Sequence, residues 1–132
     1  MCRVHDPTEH HPMAKILIVD DHADTCEILR RLFVRAGWEA VCVTDSLAAQ
    51  GAVRASACNA VLLDVMMPEL DGFGVLSAIR SDPQTADTPV VMYSALRDEE
   101  TMWRARHAGA DDYVPKGTPF GQLRERVAAV AH

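Results

Sequence analysis

Apolar positions fall along the chain in two alternating rhythms. Short unbroken runs recur at Ile16-Leu17-Ile18-Val19, Ala40-Val41-Cys42-Val43, Ala60-Val61-Leu62-Leu63 and Val90-Val91-Met92-Tyr93, with a fifth short stretch from Asp112 to Pro115. Runs of this length read as strands buried on both faces. Between them, apolar residues return at helical spacing. Ile28, Leu29, Leu32, Phe33 and Ala36 share one face, with Arg30, Arg31 and Arg35 on the other. A small-residue helix is expected from Ser46 to about Ser56, a third bearing Val75, Leu76 and Ile79, a fourth from Asp98 to His107, and a last one lined by Phe120, Leu123, Val127 and Val130.

The punctuation fits these elements. Asp21 or Asp24 is expected to cap the first helix, Ser46 the second, and Asp71 the third. Thr118 is expected as the last N-cap, with Pro119 at the first helical position. Gly37 suits the end of the first helix, Gly109 stops the fourth, and Gly51 is expected to permit close packing. Ser81 to Thr88, with Pro83 and the following Pro89, reads as a loop. The order is strand-helix five times, an α/β domain with a parallel sheet covered on both faces and right-handed crossovers. Such a sheet brings all strand C-termini to one edge, where ligands and chemistry sit in open α/β folds.

Composition narrows the class. The 132 residues suit one domain, and 48% of them are apolar. No apolar run approaches the ~20 residues that span a bilayer, and the polar, His-rich start lacks a secretory h-region, so a cytoplasmic protein without membrane insertion is expected. Residues 1–13 read as a disordered extension, with Met13 placed as a second start, and 14–131 as the domain. The net charge of −6 argues against direct nucleic-acid binding. Cys2, Cys26, Cys42 and Cys58 form no C-x-x-C pair and read as free thiols. Cys2, His5, His10 and His11 have metal-ligating chemistry, but incidental tail residues are the plainer reading.

The strand-end edge carries the candidate chemistry. Asp20 and Asp21 follow strand one, Asp64 ends strand three, Ser94 ends strand four, and Lys116 follows strand five. Each alone has an ordinary reading as a cap, a turn residue or a solvated lysine; the joint placement is what signifies. Two unit charges ~4 Å apart repel by roughly 4 kcal/mol at an effective dielectric of 20, so three clustered carboxylates call for a cation or raised pKa values. Oxygen ligands with open positions suit Mg²⁺. A lysine and a hydroxyl then complete a phosphate site, and the expectation is an aspartate that accepts a phosphoryl group.

Four segments carry a family resemblance. They are Ile16-Leu17-Ile18-Val19-Asp20-Asp21, the run from Leu62 to Gly72, Tyr93-Ser94-Ala95, and Tyr113-Val114-Pro115-Lys116. With spacings of 43, 30 and 22 residues between Asp21, Asp64, Ser94 and Lys116, the chain over about 14–131 resembles the receiver domain of two-component response regulators. The resemblance implies a flavodoxin-like (βα)5 fold with strand order 2-1-3-4-5. It implies Asp64 as phosphoacceptor, Asp21 as a direct Mg²⁺ ligand, Asp20 as its support through water, and the Met66 carbonyl as a further ligand. Ser94 resembles the switch hydroxyl, Lys116 the phosphate-binding lysine, and Tyr113 the aromatic that swings inward on activation. The implied phosphodonor is a histidine kinase or histidine phosphotransfer protein, and such domains catalyse their own phosphorylation and dephosphorylation without being conventional enzymes. One departure stands out: many receivers place a cis-proline after the lysine, whereas Gly117 follows here, so no cis bond is expected.

The surface expected to change is the face of the fourth helix, fifth strand and fifth helix, where Trp103 is either a partner anchor or a core residue. His107 is expected at the surface, and His22, beside the acids, in a solvent-facing loop. Apolar Met66 and Leu96, two residues beyond Asp64 and Ser94, suggest slow self-dephosphorylation. The reading is a stand-alone switch, monomeric or weakly dimeric, with no room for a DNA-binding output domain. An aspartyl-phosphate phosphatase would want an acid two residues after its nucleophile, and His22 and Ala23 occupy those positions. A phosphorylation-independent adaptor on the same fold is the remaining alternative.

Overall fold

The computed structural model describes residues 14–132. Five strands, β1 (Lys15–Val19), β2 (Glu39–Val43), β3 (Ala60–Asp64), β4 (Val90–Ser94) and β5 (Asp112–Pro115), alternate with five helices, α1 (Ala23–Arg35), α2 (Ala49–Ser56), α3 (Gly72–Ser81), α4 (Glu99–His107) and α5 (Phe120–Val130). All strand pairs are parallel, in the order β2-β1-β3-β4-β5.

The unbroken apolar runs of β1, β3 and β4 are explained by burial on both sides, whereas β2, at the sheet edge, is only half-buried, contrary to the expectation from its apolar run. Alternate residues divide between two cores, as the two-residue period of a strand requires. Leu17, Val19, Val61, Leu63, Val90 and Met92 face α2, α3 and α4. Ile16, Ile18, Leu62, Val91 and Val114 face α1 and α5. Each such fully buried aliphatic side chain contributes about 1.5–3 kcal/mol. On the second side Phe33 sits edge-to-face against Trp38 at 5.6 Å and Phe120 at 5.0 Å, which ties α1 to α5.

Several local expectations are corrected. Neither Asp21 nor Asp24 caps α1: the N-cap is His22, without a side-chain bond, because Asp20 and Asp21 turn to the sheet edge instead. Ile28 is 59% exposed, so Cys26, Leu29 and Phe33 form the buried stripe of α1. Ser46 does not cap α2. Asp45 caps a 3₁₀ turn (Ser46–Ala48) by accepting the Leu47 amide at 3.0 Å, and the buried Ser46 hydroxyl accepts the Leu70 amide at 3.2 Å. Gly51 faces open space, so its lack of a side chain serves no close packing. Pro119 itself is the N-cap of α5, while the Thr118 hydroxyl donates to the Pro115 carbonyl at 2.7 Å. Asp71 caps α3 as expected, and Asp98 caps α4.

The strand N-termini form a pole that is rich in hydrogen bonds. The Arg80 guanidinium donates to the carbonyls of Ala86 (3.1 Å), Thr88 (2.6 Å) and Gly109 (3.0 and 2.8 Å) and to the Asp111 carboxylate (3.0 Å). Asp111 in turn accepts the Val90 amide at 2.8 Å. Asn59 accepts the Lys15 amide at 2.7 Å and donates to the His132 carbonyl at 2.8 Å.

Ala57, at the end of α2, has φ +50° and ψ +46°, the left-handed region that disfavours a side chain. Ala57→Gly is expected to stabilise the fold by about 0.5–1 kcal/mol, a rise of roughly 3 °C in Tm by thermal melting.

Candidate functional site

The parallel register aligns the strand ends. Val19 pairs with Leu63, Asp64 with Tyr93, and Ser94 with Pro115. The residues at or just beyond those ends, Asp20, Asp21, Asp64, Ser94 and Lys116, therefore gather at one edge, as their sequence positions implied. Asp20, Asp64 and Ser94 are buried, while Asp21 and Lys116 are partly exposed.

Asp20 Oδ1 accepts the His22 amide at 2.9 Å. Asp64 Oδ1 accepts the Met66 amide at 3.2 Å, a bond that holds the start of the β3–α3 loop. Lys116 Nζ lies between two carboxylates, 3.5 Å from Asp20 Oδ2 and 3.4 Å from Asp64 Oδ2. The Lys116 amide donates to the Ser94 carbonyl at 2.7 Å, and Arg97 donates to the Lys116 carbonyl at 3.1 Å. Gly117 turns the chain away with φ +95°, and the peptides of the described residues are all trans.

Burial pushes the Asp64 carboxyl above its ordinary value and the Asp20 charge adds to this, while Lys116 and the Met66 amide oppose both. Burial presses the Lys116 ammonium down, but Asp64 and Asp20 together outweigh it and leave its pKa raised. The lysine therefore stays charged. Even so, Asp64 Oδ2 and Asp21 Oδ1 are buried with no hydrogen-bond partner. Each has a basic neighbour, Lys116 at 3.4 Å and His22 at 3.3 Å, but no hydrogen bond, and buried carboxylate oxygens so placed are what a cation would satisfy. Asp20, Asp21, His22 and Asp64 each offer one donor atom, and these atoms all lie within 4.8 Å of one another. Three carboxylates fit a hard ion such as Mg²⁺.

The Ser94 hydroxyl accepts the Leu96 amide at 3.1 Å. The Tyr113 ring is already buried, and its hydroxyl donates to the Leu96 carbonyl at 2.7 Å. Beside the acids opens a cleft of about 580 Å³ lined in part by Met66, Leu96, Thr101 and Arg104. Met66 is 56% exposed there. Arg104 lies 3.9 Å over the Phe73 ring, a contact no sequence spacing signals. Trp103 proves to be a surface residue, 59% exposed, stacked at 3.8 Å on the exposed His107. The thiols of Cys26, Cys42 and Cys58 are free. Cys2, His5, His10, His11 and the expected extension over 1–13 lie outside the described residues.

The sheet order and the acidic edge define a flavodoxin-like receiver fold. Residues 16–128 match the response regulator receiver domain family, and the chain belongs to it. It is 38% identical to a probable transcriptional regulator, ycf27, of Guillardia theta over 88% of this chain and 44% of that one. It spans about half the length of the curated relatives it matches. Among solved structures, the Francisella response regulator 1452 receiver domain is 28% identical with a TM-score of 0.82, covering 89% of this chain and 95% of that one. The chemotaxis protein CheY4 of Vibrio cholerae is 25% identical with a TM-score of 0.85, covering 90% and 99%. Phosphorylation signalling in a two-component system is thus the general role, and the family typically binds Mg²⁺. Among the described residues, no helix is long and apolar enough to cross a membrane.

Proposed function

We propose that the chain is a phosphorylation-dependent switch in which Asp64 accepts a phosphoryl group from the phosphohistidine of a histidine kinase or phosphotransfer protein. The observation that carries this reading is Asp64 Oδ2, buried, without a hydrogen bond and paired only with the Lys116 charge at 3.4 Å. An Asp64 carboxylate oxygen attacks phosphorus, the P–N bond breaks, and the donor imidazole leaves with its electron pair. Mg²⁺, held by Asp21, Asp64 and the Met66 carbonyl with Asp20 behind them, would neutralise charge on the phosphoryl oxygens. Lys116 adds a charge-assisted bond to the same oxygens, and Ser94 turns its hydroxyl from the Leu96 amide toward them. That rearrangement reaches Tyr113 through Leu96, whose carbonyl holds the Tyr113 hydroxyl.

The response is read out on α4, β5 and α5, where Trp103 offers an exposed aromatic anchor for a downstream protein. The protein works in the cytoplasm as a monomer or weak homodimer, and its only reactions are its own phosphorylation and dephosphorylation. Water reaches the acyl phosphate past Met66 and Leu96, whose apolar side chains cannot orient it. The Met66→Asn/Leu96→Glu double variant is expected to lose phosphate about tenfold faster, ~1.4 kcal/mol of barrier, in a decay assay. Equal decay rates would remove that role.

The test of the switch is incubation with Mg²⁺ and acetyl phosphate or beryllofluoride, comparing wild type with Asp64→Asn. With acetyl phosphate wild type should gain the mass of one phosphoryl group, with either reagent its tryptophan emission should change, and the variant should do neither. Uptake independent of Asp64 would overturn the assignment. A second reading is an adaptor indifferent to phosphate, in which the buried Tyr113 ring is a fixed part of the core. It predicts partner binding equal in wild type and Asp64→Asn.

A further inference from the structure

We propose that His22 is a nitrogen ligand of the acidic edge, so that the site takes Mn²⁺, Ni²⁺ or Zn²⁺ more tightly than an all-oxygen site and is not tuned to Mg²⁺ alone. This rests on reading the edge as a cation site. His22 follows Asp20 and Asp21 directly and is the N-cap residue of α1, yet its side chain makes no cap bond. It is free to turn elsewhere, and it turns to the acids: Nδ1 lies 3.3 Å from both Asp20 Oδ1 and Asp21 Oδ1.

Two ligand atoms on opposite sides of a transition ion, each about 2.1 Å from it, stand roughly 4.2 Å apart. The donor atoms of Asp20, Asp21, His22 and Asp64 lie within 4.8 Å of one another, so a small inward adjustment closes the set. Independent of the histidine, Asp64 belongs to the same set of donors, its side chain is only 2% exposed, and its Oδ2, 3.4 Å from Lys116 Nζ, has no hydrogen-bond partner. The imidazole is 68% exposed, so its other nitrogen remains in water and the ring can reorient at little cost.

Imidazole discriminates among ions where carboxylate does not. Affinity for nitrogen-containing sites rises from Mn²⁺ through Ni²⁺, whereas Mg²⁺ prefers oxygen and keeps its waters. Removal of His22 should therefore separate the metals.

The experiment titrates Mg²⁺, Mn²⁺ and Ni²⁺ into the full chain by calorimetry, in a background of Cys2→Ser, His5→Ala, His10→Ala and His11→Ala that removes the other N-terminal ligands. His22→Ala and His22→Gln should each weaken Ni²⁺ binding at least about tenfold, the scale of losing a ligand-shell group, and leave Mg²⁺ binding unchanged. Mn²⁺-loaded protein should show ¹⁴N modulation in its electron spin echo, absent from both variants. Intact Mg²⁺ binding with unchanged Ni²⁺ affinity and no His22-dependent ¹⁴N signal would overturn the proposal alone. Failure of all three ions to bind the parent would overturn the cation site as well. Equal weakening of Mg²⁺ and Ni²⁺ would assign His22 to general support of the acids and also overturn it.

Discussion

Gly72→Ala is expected to cost about 3 kcal/mol, lowering Tm on the order of 10 °C, and to slow phosphoryl uptake at Asp64. Gly72 opens α3 and is pinned there, its amide donating to the Val65 carbonyl at 2.8 Å. A Cβ at this position would run into the Asp64 carbonyl oxygen and meet Val65 Cα at 2.8 Å and Met92 Cε at 2.9 Å. Met92 could give way; the two backbone atoms belong to β3 and the start of its loop and cannot. The displaced backbone is that of Asp64 itself, so the damage reaches the site. Gly121→Ala is the matched control, because a Cβ there meets nothing within 4 Å and an exposed helix position gains from alanine. Equal melting of Gly72→Ala and wild type, with equal uptake from acetyl phosphate, would refute the argument.

Asp64→Asn is expected to do the opposite to stability while abolishing phosphorylation. Its buried carboxylate carries an oxygen without a hydrogen bond and faces Asp20. Replacing the charge by an amide should stabilise the metal-free protein by about 1–2 kcal/mol at neutral pH, the scale of an unsatisfied buried polar group. The sign follows from the raised pKa. The folded state holds the Asp64 proton more tightly than the unfolded state, whose value is near the ordinary 3.8. Wild-type stability therefore declines as pH rises from that ordinary value through the raised one, and is level above it. The advantage of the variant is full above the raised pKa and shrinks as pH falls through it. Mg²⁺ at 100 times its Kd would return about 2.7 kcal/mol to wild type, so the order of melting should narrow or reverse with the ion. Chemical denaturation in chelator at several pH values checks this, and coincident curves for the two proteins near neutrality would contradict it.

What was legible in the chain was legible for physical reasons. Strands buried on both faces leave uninterrupted apolar runs, so β1, β3 and β4 were visible for that reason. The β2 strand carries an apolar run although it is half-buried at the sheet edge, β5 is short and mixed, and a parallel sheet must collect all their ends. Asp20, Asp21, Asp64, Ser94 and Lys116 could therefore be brought together without coordinates. Residues whose roles depend on distant partners were not legible. Ser46 has the chemistry of a cap and instead holds the Leu70 amide of another loop. Asp21 and Asp24 have it too, yet α1 starts at an uncapped His22: Asp21 turns to the acidic edge, and Asp24 lies within the first turn. Nothing in the spacing marks Gly72 as special, and only the packed loop shows what stands where its side chain would be. The Arg104 guanidinium over Phe73 depends on a partner about thirty residues away, which no helical pattern signals.

The Arg80 cluster sets the mechanical character of the domain. Its guanidinium clamps the end of α3, the loop before β4 and the turn before β5, while Asn59 clasps the start of β1 to the last residue of the chain. That pole has few reasons to open, so its amides at Lys15 and Val90 should exchange with solvent only when the whole molecule unfolds. The opposite pole keeps unpaired charge in reserve. Whatever yields when the acids gain a partner must yield there, and the domain behaves as a fixed base carrying one deformable rim.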